Sequence, residues 1–295
     1  MSLRAVASST CSTANPRVTI VTVCLNQRRF IADTLESVMS QTYSPIEHIV
    51  IDGGSTDGTV EVLRRYAATE TLRWVSEPDR GLSHAFNKGI MAATGEWLYF
   101  LNGDDYLVDS GAIGHVIGWI VAHPGYCIYM GGAQGVDEEG AHIQRGMFPQ
   151  SDHIYTRHSL LDESGLVIHQ GTFYRRRVFQ VAGLYSERYK THMDYEFHLR
   201  ATGFFDIAGM DVVVACFRTH PAALSQQADW RRYVELARAR TTYGGRLWHR
   251  HNLYFVKGFL SSWPATRLIY RGLTSTRFGK AAARASGWHD VRGMR

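Results

Sequence analysis

Cysteine is scarce and scattered: Cys11, Cys24, Cys127 and Cys216 show no CxxC spacing, which excludes a disulfide framework and a cysteine-ligated zinc site. No stretch approaches the roughly 18 consecutive apolar residues of a membrane span. The first seventeen residues are rich in Ser, Thr and Ala and lack the apolar centre of a secretion signal. The cytosol is the expected location. Glycine is missing where a dinucleotide fold needs it, because Leu25-Asn26-Gln27-Arg28-Arg29 follows the first predicted strand and offers no GxGxxG turn. A P-loop is absent as well. Acids thin out towards the C-terminus, where only Glu235 and Asp290 face many Arg and Lys between 231 and 295. That imbalance suits an anionic membrane face. Nucleic acid is disfavoured as a partner, since no zinc-finger, RRM or KH pattern accompanies the basic charge.

What is present is alternation. Val18 to Leu25 is a β-branched run that predicts a buried strand, and apolar residues at helical spacing follow over 30–41. A second strand over 46–51 leads into the turn-rich Asp52-Gly53-Gly54-Ser55-Thr56-Asp57-Gly58-Thr59 and a helix over 60–66. A third strand over 72–76, a loop over 77–81 and a helix over 82–93 precede the strand Leu98-Tyr99-Phe100-Leu101, which runs into Asn102-Gly103-Asp104-Asp105. Strand and helix in turn predict an α/β fold with a mostly parallel, Rossmann-like sheet whose ligands lie beyond the carboxyl ends of the strands. Later the order weakens. Expected there are a helix over 111–122, a strand over 126–130, a hairpin around Asp137-Glu138-Glu139-Gly140, a polar loop over 151–165 and a strand over 166–174 interrupted at Gly171. A basic helix over 175–181, a helix over 194–201 and a strand over 207–218 follow, and Gly- and Pro-broken helices run from 229 onward.

Acidic signals stand at strand ends or helix starts: Asp52, the Asp104-Asp105 pair and Asp194. Adjacent carboxylates repel, and a divalent cation is the usual remedy. Taken with Asp79-Arg80-Gly81-Leu82-Ser83-His84-Ala85-Phe86-Asn87-Lys88-Gly89, His169-Gln170 and Met193-Asp194-Tyr195-Glu196-Phe197-His198-Leu199-Arg200, they resemble the family 2 glycosyltransferases over roughly residues 17–225. The resemblance implies a GT-A fold and an inverting transfer of sugar from an NDP-sugar, UDP-linked by preference, to a hydroxyl of a growing polysaccharide or lipid-linked oligosaccharide. It also implies Mg²⁺ or Mn²⁺. Asp52 would accept a hydrogen bond from the base, with Thr22, Asn26, Asn87 and Lys88 lining the nucleotide pocket. Asp104 is assigned to the ribose or to a contact behind the metal's ligands and Asp105, with His220, to the metal, and the two aspartates are interchangeable at this stage. Asn102 departs from the acid often found first in the motif, leaving Asp104 and Asp105 to carry its charge.

Asp194 is the general base the resemblance implies. Glu196 lies two residues on, about 200° around a helix, and cannot face the same pocket. His169, Gln170 and Glu196 are placed on the acceptor side. Bland readings stand beside these: Asp52 as a turn former, Asp194 as a helix-start carboxylate favoured by the dipole, and Arg175-Arg176-Arg177 as a solvated face or an acceptor-phosphate site. A non-catalytic binding protein of the same fold and a sugar nucleotidyltransferase are the competing functions. The organisation expected is a flexible leader over 1–16, a catalytic domain over 17–225 and a basic helical extension over 226–295. Trp248, Tyr254, Phe255, Phe259, Trp263 and Tyr270 in that extension suit membrane-face attachment or simple cover of the catalytic domain.

Overall fold

A computed structural model describes residues 15–68, 72–162, 167–223 and 230–245. The leader up to residue 14 and the aromatic tail from 246 lie outside the described residues. The expected alternation is realised as β1 (Val18–Cys24), α1 (Ile31–Met39), β2 (Ile46–Asp52), α2 (Thr59–Tyr66), β3 (Leu72–Ser76), α3 (Leu82–Ala92) and β4 (Trp97–Asn102). Then come β5 (Tyr106–Leu107), α4 (Ala112–Ala122), β6 (Ile128–Val136), β7 (His142–Met147), β8 (Ile154–Tyr155) and α5 (Arg157–Asp162). A 3₁₀ turn (His169–Gly171), β9 (Thr172–Arg175), α6 (Arg177–Ala182), α7 (Met193–Ala201), β10 (Ile207–Arg218) and α8 (Trp230–Thr242) complete the described chain.

One sheet runs β3-β2-β1-β4-β9-β6-β10-β5, with β7 on β6 and β8 on β10. β3, β2, β1 and β4 are mutually parallel, as the βαβ reading requires. β9 then enters antiparallel to both β4 and β6, while β6 and β10 pair parallel. Every residue of β1 is buried, because helices cover both faces of this central strand. The chain moves outward from β1 through β2 to β3 and returns to β4 on the other side. That reversal places a crevice between the carboxyl ends of β1 and β4.

Helix α3 packs directly on β1, and Gly89 makes this possible: a Cβ there would lie 2.1 Å from Val21 Cγ1. Beneath the crevice, Phe86, Phe100, Tyr174, Phe179, Tyr185 and Phe197 form one set of ring contacts with centroids 4.7 to 6.0 Å apart. Each such ring, once buried, contributes roughly 2–3 kcal/mol of burial.

Two expectations change. The stretch 151–165, read as a polar loop, holds β8 and α5, because Leu160 and Leu161 are buried and Thr156 and Ser159 cap each other reciprocally (2.8 and 3.3 Å). The strand expected over 166–174 is a 3₁₀ turn at His169–Gly171 followed by β9, since Gly171 packs against the Gly131 carbonyl and leaves no room for a side chain. The hairpin expected around 137–140 is present between β6 and β7. Among the described residues no helix is long and apolar enough to cross a membrane.

Candidate functional site

The rim of the crevice is stitched by backbone bonds between strand ends: Gly53 N to Cys24 O (2.9 Å), Glu77 N to Asp52 O (3.1 Å) and Gly103 N to Val23 O (2.8 Å). Asn26, at φ 54°, takes the left-handed turn that asparagine tolerates. Its Oδ1 accepts from Thr56 N at 3.0 Å, holding the β2–α2 loop in place. Thr22 lies deeper. It is fully buried, and its hydroxyl pairs with His48 Nε2 at 2.9 Å inside the sheet.

Asp52 closes β2 with no exposed surface. Its carboxylate accepts from Gly54 N (3.1 Å), Ser55 N (2.9 Å), the Ser55 hydroxyl, Ser76 Oγ (2.6 Å) and Cys24 Sγ (3.5 Å). Burial pushes this carboxyl up, but the Ser55, Ser76 and Cys24 bonds prevail and hold it below its ordinary range. Asp52 is thus the staple of its loop. A residue the sequence reading left without a role stands beside it. Asp79 Oδ1 accepts from Gly81 N at 2.7 Å. Its Oδ2 reaches over Gly53, where a Cβ would lie 2.5 Å from it and 3.5 Å from Leu25 Cδ1. Leu25 is 52% exposed, so an apolar side chain and a carboxylate oxygen share one opening. The missing side chain at Gly53 was the signal that could have found this.

Asn87 spends both ends of its amide on the Tyr185 backbone (2.9 Å each). Lys88 Nζ pairs with Glu77 at 2.7 Å and bonds the Pro78 carbonyl at 3.4 Å, bracing the loop that carries Asp79.

At the β4 end the two aspartates differ sharply. Asp105 is 3% exposed, and its oxygens accept from Arg218 N (2.8 Å), Asn102 Nδ2 (2.9 Å) and Gln170 Nε2 (3.3 Å). Burial and the neighbouring Asp104 push its carboxyl up to about 7, against those bonds. Asp104 Oδ2 meets His220 Nε2 at 2.9 Å, and its Oδ1 has no protein donor among the described residues. The His220 ring packs 4.8 Å from Phe30. Arg218, 3% exposed in its side chain, pairs with Asp33 at 2.8 Å, and its guanidinium lies over Phe30 (4.6 Å) and Tyr106 (5.2 Å). Those ring faces explain how its Nε and Nη1 are buried without an acceptor.

The acceptor-side candidates separate too. His169 is buried among Phe86, Phe100 and Tyr185, and burial, with His198 nearby, holds it neutral with a pKa lowered to about 3. Gln170 alone of that dipeptide reaches the acidic motif. Glu196 is buried, bonded to Arg200 (3.0 Å) and Tyr243 (2.6 Å), and serves packing between α7 and α8.

Asp194 is half-buried at the start of α7. Burial raises its pKa to about 6, with the Tyr195 amide at 2.7 Å and the charge of Arg232 pulling the other way. The turn before it is held from α8, because Glu235 accepts from Lys190 N (2.8 Å), Thr191 N (2.9 Å), Thr191 Oγ1 (2.8 Å) and His192 N (3.3 Å). Lys190 Nζ in turn bonds Arg80 O at 2.8 Å, joining this turn to the loop of Asp79. Helix α8 also buries Ala239 and Arg240, the latter on Tyr195 Oη at 2.9 Å. Glu235 and Arg240 were invisible in a segment read for its charge.

Comparison with known proteins agrees with this fold. Residues 19–183 match the family model described as glycosyl transferase family 2. A Mycobacterium bovis protein named PGL/p-HBAD biosynthesis glycosyltransferase is 31% identical over 190 residues, 63% of this chain and 70% of its own length. A Mycobacterium tuberculosis glycosyltransferase is 30% identical over 241 residues, 79% of this chain and 88% of its own. Staphylococcus aureus TarS 1–349 in complex with UDP-GlcNAc superposes with a TM-score of 0.62 at 17% identity, covering 83% of this chain and 72% of that one. The mannosyltransferase PcManGT from Pyrobaculum calidifontis, in complex with GDP-Man and Mn²⁺, gives 0.63 at 18%, covering 94% and 85%. These structural likenesses show the GT-A fold. The matched segment contains the stapled β2 loop, Asp79 and the Asp104-Asp105 rim, so the chain belongs to glycosyl transferase family 2 and is a glycosyltransferase.

Proposed function

We propose that the protein transfers a sugar, with inversion, from a nucleoside diphosphate sugar to a hydroxyl of a glycan or lipid-linked glycan acceptor. The observation that carries this reading is the pairing of Asp104 with His220 across the β4 and β10 ends, at the crevice where the sheet order reverses. A carboxylate and an imidazole suit Mg²⁺ or Mn²⁺ in donor type. Asp104 Oδ1 is open, and the hydrogen bond between Oδ2 and His220 marks where a cation would replace a proton. Asp104 and His220 are therefore assigned to the metal, exchanging the roles first given to Asp104 and Asp105. Asp105 braces the motif. Bound there, the cation would neutralise the diphosphate of the leaving nucleotide.

Asp79 and Leu25 are assigned to the base. A carboxylate oxygen accepts from the ring N–H of uracil or guanine, whereas the ring nitrogen of cytosine at that edge is itself an acceptor, and Leu25 offers the apolar face. Asp194 takes the proton of the acceptor hydroxyl. At a pKa near 6 it is ionised at neutral pH yet more basic than an ordinary aspartate, the compromise general-base catalysis favours. Helix α8 belongs with the catalytic unit, since it holds the turn that presents Asp194. The mycobacterial relative is named for PGL/p-HBAD biosynthesis, a name that fits a role in cell-envelope synthesis.

The test is a panel of UDP-, GDP-, CDP- and ADP-sugars with Mn²⁺ or Mg²⁺, read by nucleotide release and thermal shift. Stabilisation by the uridine or guanosine members is expected, and lost in Asp104→Asn. No response to any nucleotide sugar with metal sinks the reading.

A further inference from the structure

The Arg175-Arg176-Arg177 run finds no use in this chemistry, and its position explains why. Arg175 is paired with Trp97, the first residue of β4, whereas the acidic motif begins at Asn102, the last. Five residues at about 3.3 Å each separate the two ends by about 17 Å. The run therefore lies at the opposite pole of the sheet from the Asp104–His220 pair.

There it lines a cavity of about 510 Å³ together with Arg17, Asn15, Thr94 and Gln180. The backbone fixes this arrangement. Glu96 N and Trp97 N both donate to Arg17 O (2.9 and 3.2 Å), Arg176 N donates to Glu96 O (2.8 Å), and Arg175 N donates to Cys127 O (2.8 Å). The start of β1, the start of β4 and the end of β9 are thus tied side by side: Arg17 comes from the first, Arg175 to Arg177 from the last, and Glu96 from the start of β4. One carboxylate lies in the lining, Glu96, and it is already bound to Arg175 at 2.7 Å. The guanidinium groups of Arg17, Arg176 and Arg177 have no ion-pair or hydrogen-bond partner among the described residues.

Like charges gathered around one hollow repel, and a bound anion of matching multiplicity offsets that cost. Guanidinium forks meet phosphate oxygens two at a time, and several forks around one cavity match a group carrying several negative charges. A lone carboxylate would satisfy one of them. The volume falls within the range of small-molecule sites and exceeds what a single phosphate fills.

We propose that this cavity is a second binding site, separate from the transfer site, for an anion carrying a di- or polyphosphate or a phosphorylated headgroup. Soluble polyphosphate and anionic lipid share that chemistry, and the experiment separates them. Full-length protein in EDTA is titrated calorimetrically with tripolyphosphate, and in parallel co-sedimented with phosphatidylcholine vesicles with and without phosphatidylglycerol. The double variant Arg17→Gln/Arg176→Gln alters two exposed side chains, so its melting temperature and transfer rate should match the wild type. Asp104→Asn controls for phosphate entering the transfer site.

The expected result is binding of one probe, unchanged in Asp104→Asn and weakened about tenfold or more in the double variant, as loss of two charge-assisted contacts implies. Loss confined to tripolyphosphate assigns a soluble ligand, and loss confined to the vesicles assigns a lipid headgroup. Absence of binding to both probes overturns the proposal. So does a double variant that binds as tightly as the wild type.

Discussion

Replacing Asp194 with asparagine should abolish transfer and stabilise the fold, and the second effect has a calculable pH dependence. Burial raises this carboxyl from 3.8 to about 6 in the folded protein. An acid whose folded-state pKa exceeds its unfolded value binds its proton more tightly when folded, so stability falls as pH rises between the two values. At 1.36 kcal/mol per pKa unit the cost is about 3 kcal/mol, fully present above pH 6.5, about half as large at pH 5 and absent below pH 3.5. Asparagine keeps the shape and the acceptor facing the Tyr195 amide but carries no charge. Urea unfolding of Asp194→Asn should therefore show a gain of about 3 kcal/mol at pH 7.5 that shrinks by half at pH 5. For a domain of this size that gain corresponds to roughly 6–12 °C in melting temperature. In the wild type, kcat/KM should fall below about pH 6 as the base takes up a proton. A gain that is equal at both pH values, or no gain, would refute the buried charge, and full transfer activity in the variant would remove Asp194 from the role of base.

Three further outcomes follow from the same geometry. Asp79→Asn keeps the bond to Gly81 but replaces the free acceptor over Gly53, so UDP should bind about 10- to 100-fold more weakly by calorimetry, on the usual worth of a charge-assisted bond; unchanged affinity returns base recognition to another group. Glu235→Ala strips the acceptor from the turn at 190–192 and should cost about 3 kcal/mol in urea unfolding while lowering kcat more than it weakens nucleotide binding. Equal stability of this variant would mean that α8 does not hold that turn. Gly89→Ala drives a methyl to 2.1 Å from Val21 Cγ1 and should destabilise by about 1–3 kcal/mol through overpacking between α3 and β1, checked by thermal unfolding.

Much of the donor half was legible because its signals are local. Alternating apolar runs and turn residues dictate strand and helix from residue 18 to 102, and acids just past strand ends fall on the rim of any parallel sheet. Burial of individual groups was not legible. Asp52, Thr22, His169 and Glu196 have the composition of site residues, yet each spends its polar atoms on neighbours 16 to 47 positions away or on its own loop. Asp79 went unread for the opposite reason: its meaning comes from the side chain that Gly53 lacks in the loop after β2, 26 positions away.

The sequence by itself determined the family, the order of the elements and the acids offered at the rim, since all three depend on contacts within a few residues along the chain. Only the tertiary structure decided which acid is free and which is a brace. Whether Asp104 meets His220, whether Asp105 is closed off by Arg218 and Gln170, and whether α8 reaches the turn before Asp194 depend on pairings across 116, 113, 65 and 45 residues. Local spacing carries no information about such pairings, because they are set by the order in which β9, β6 and β10 enter the sheet.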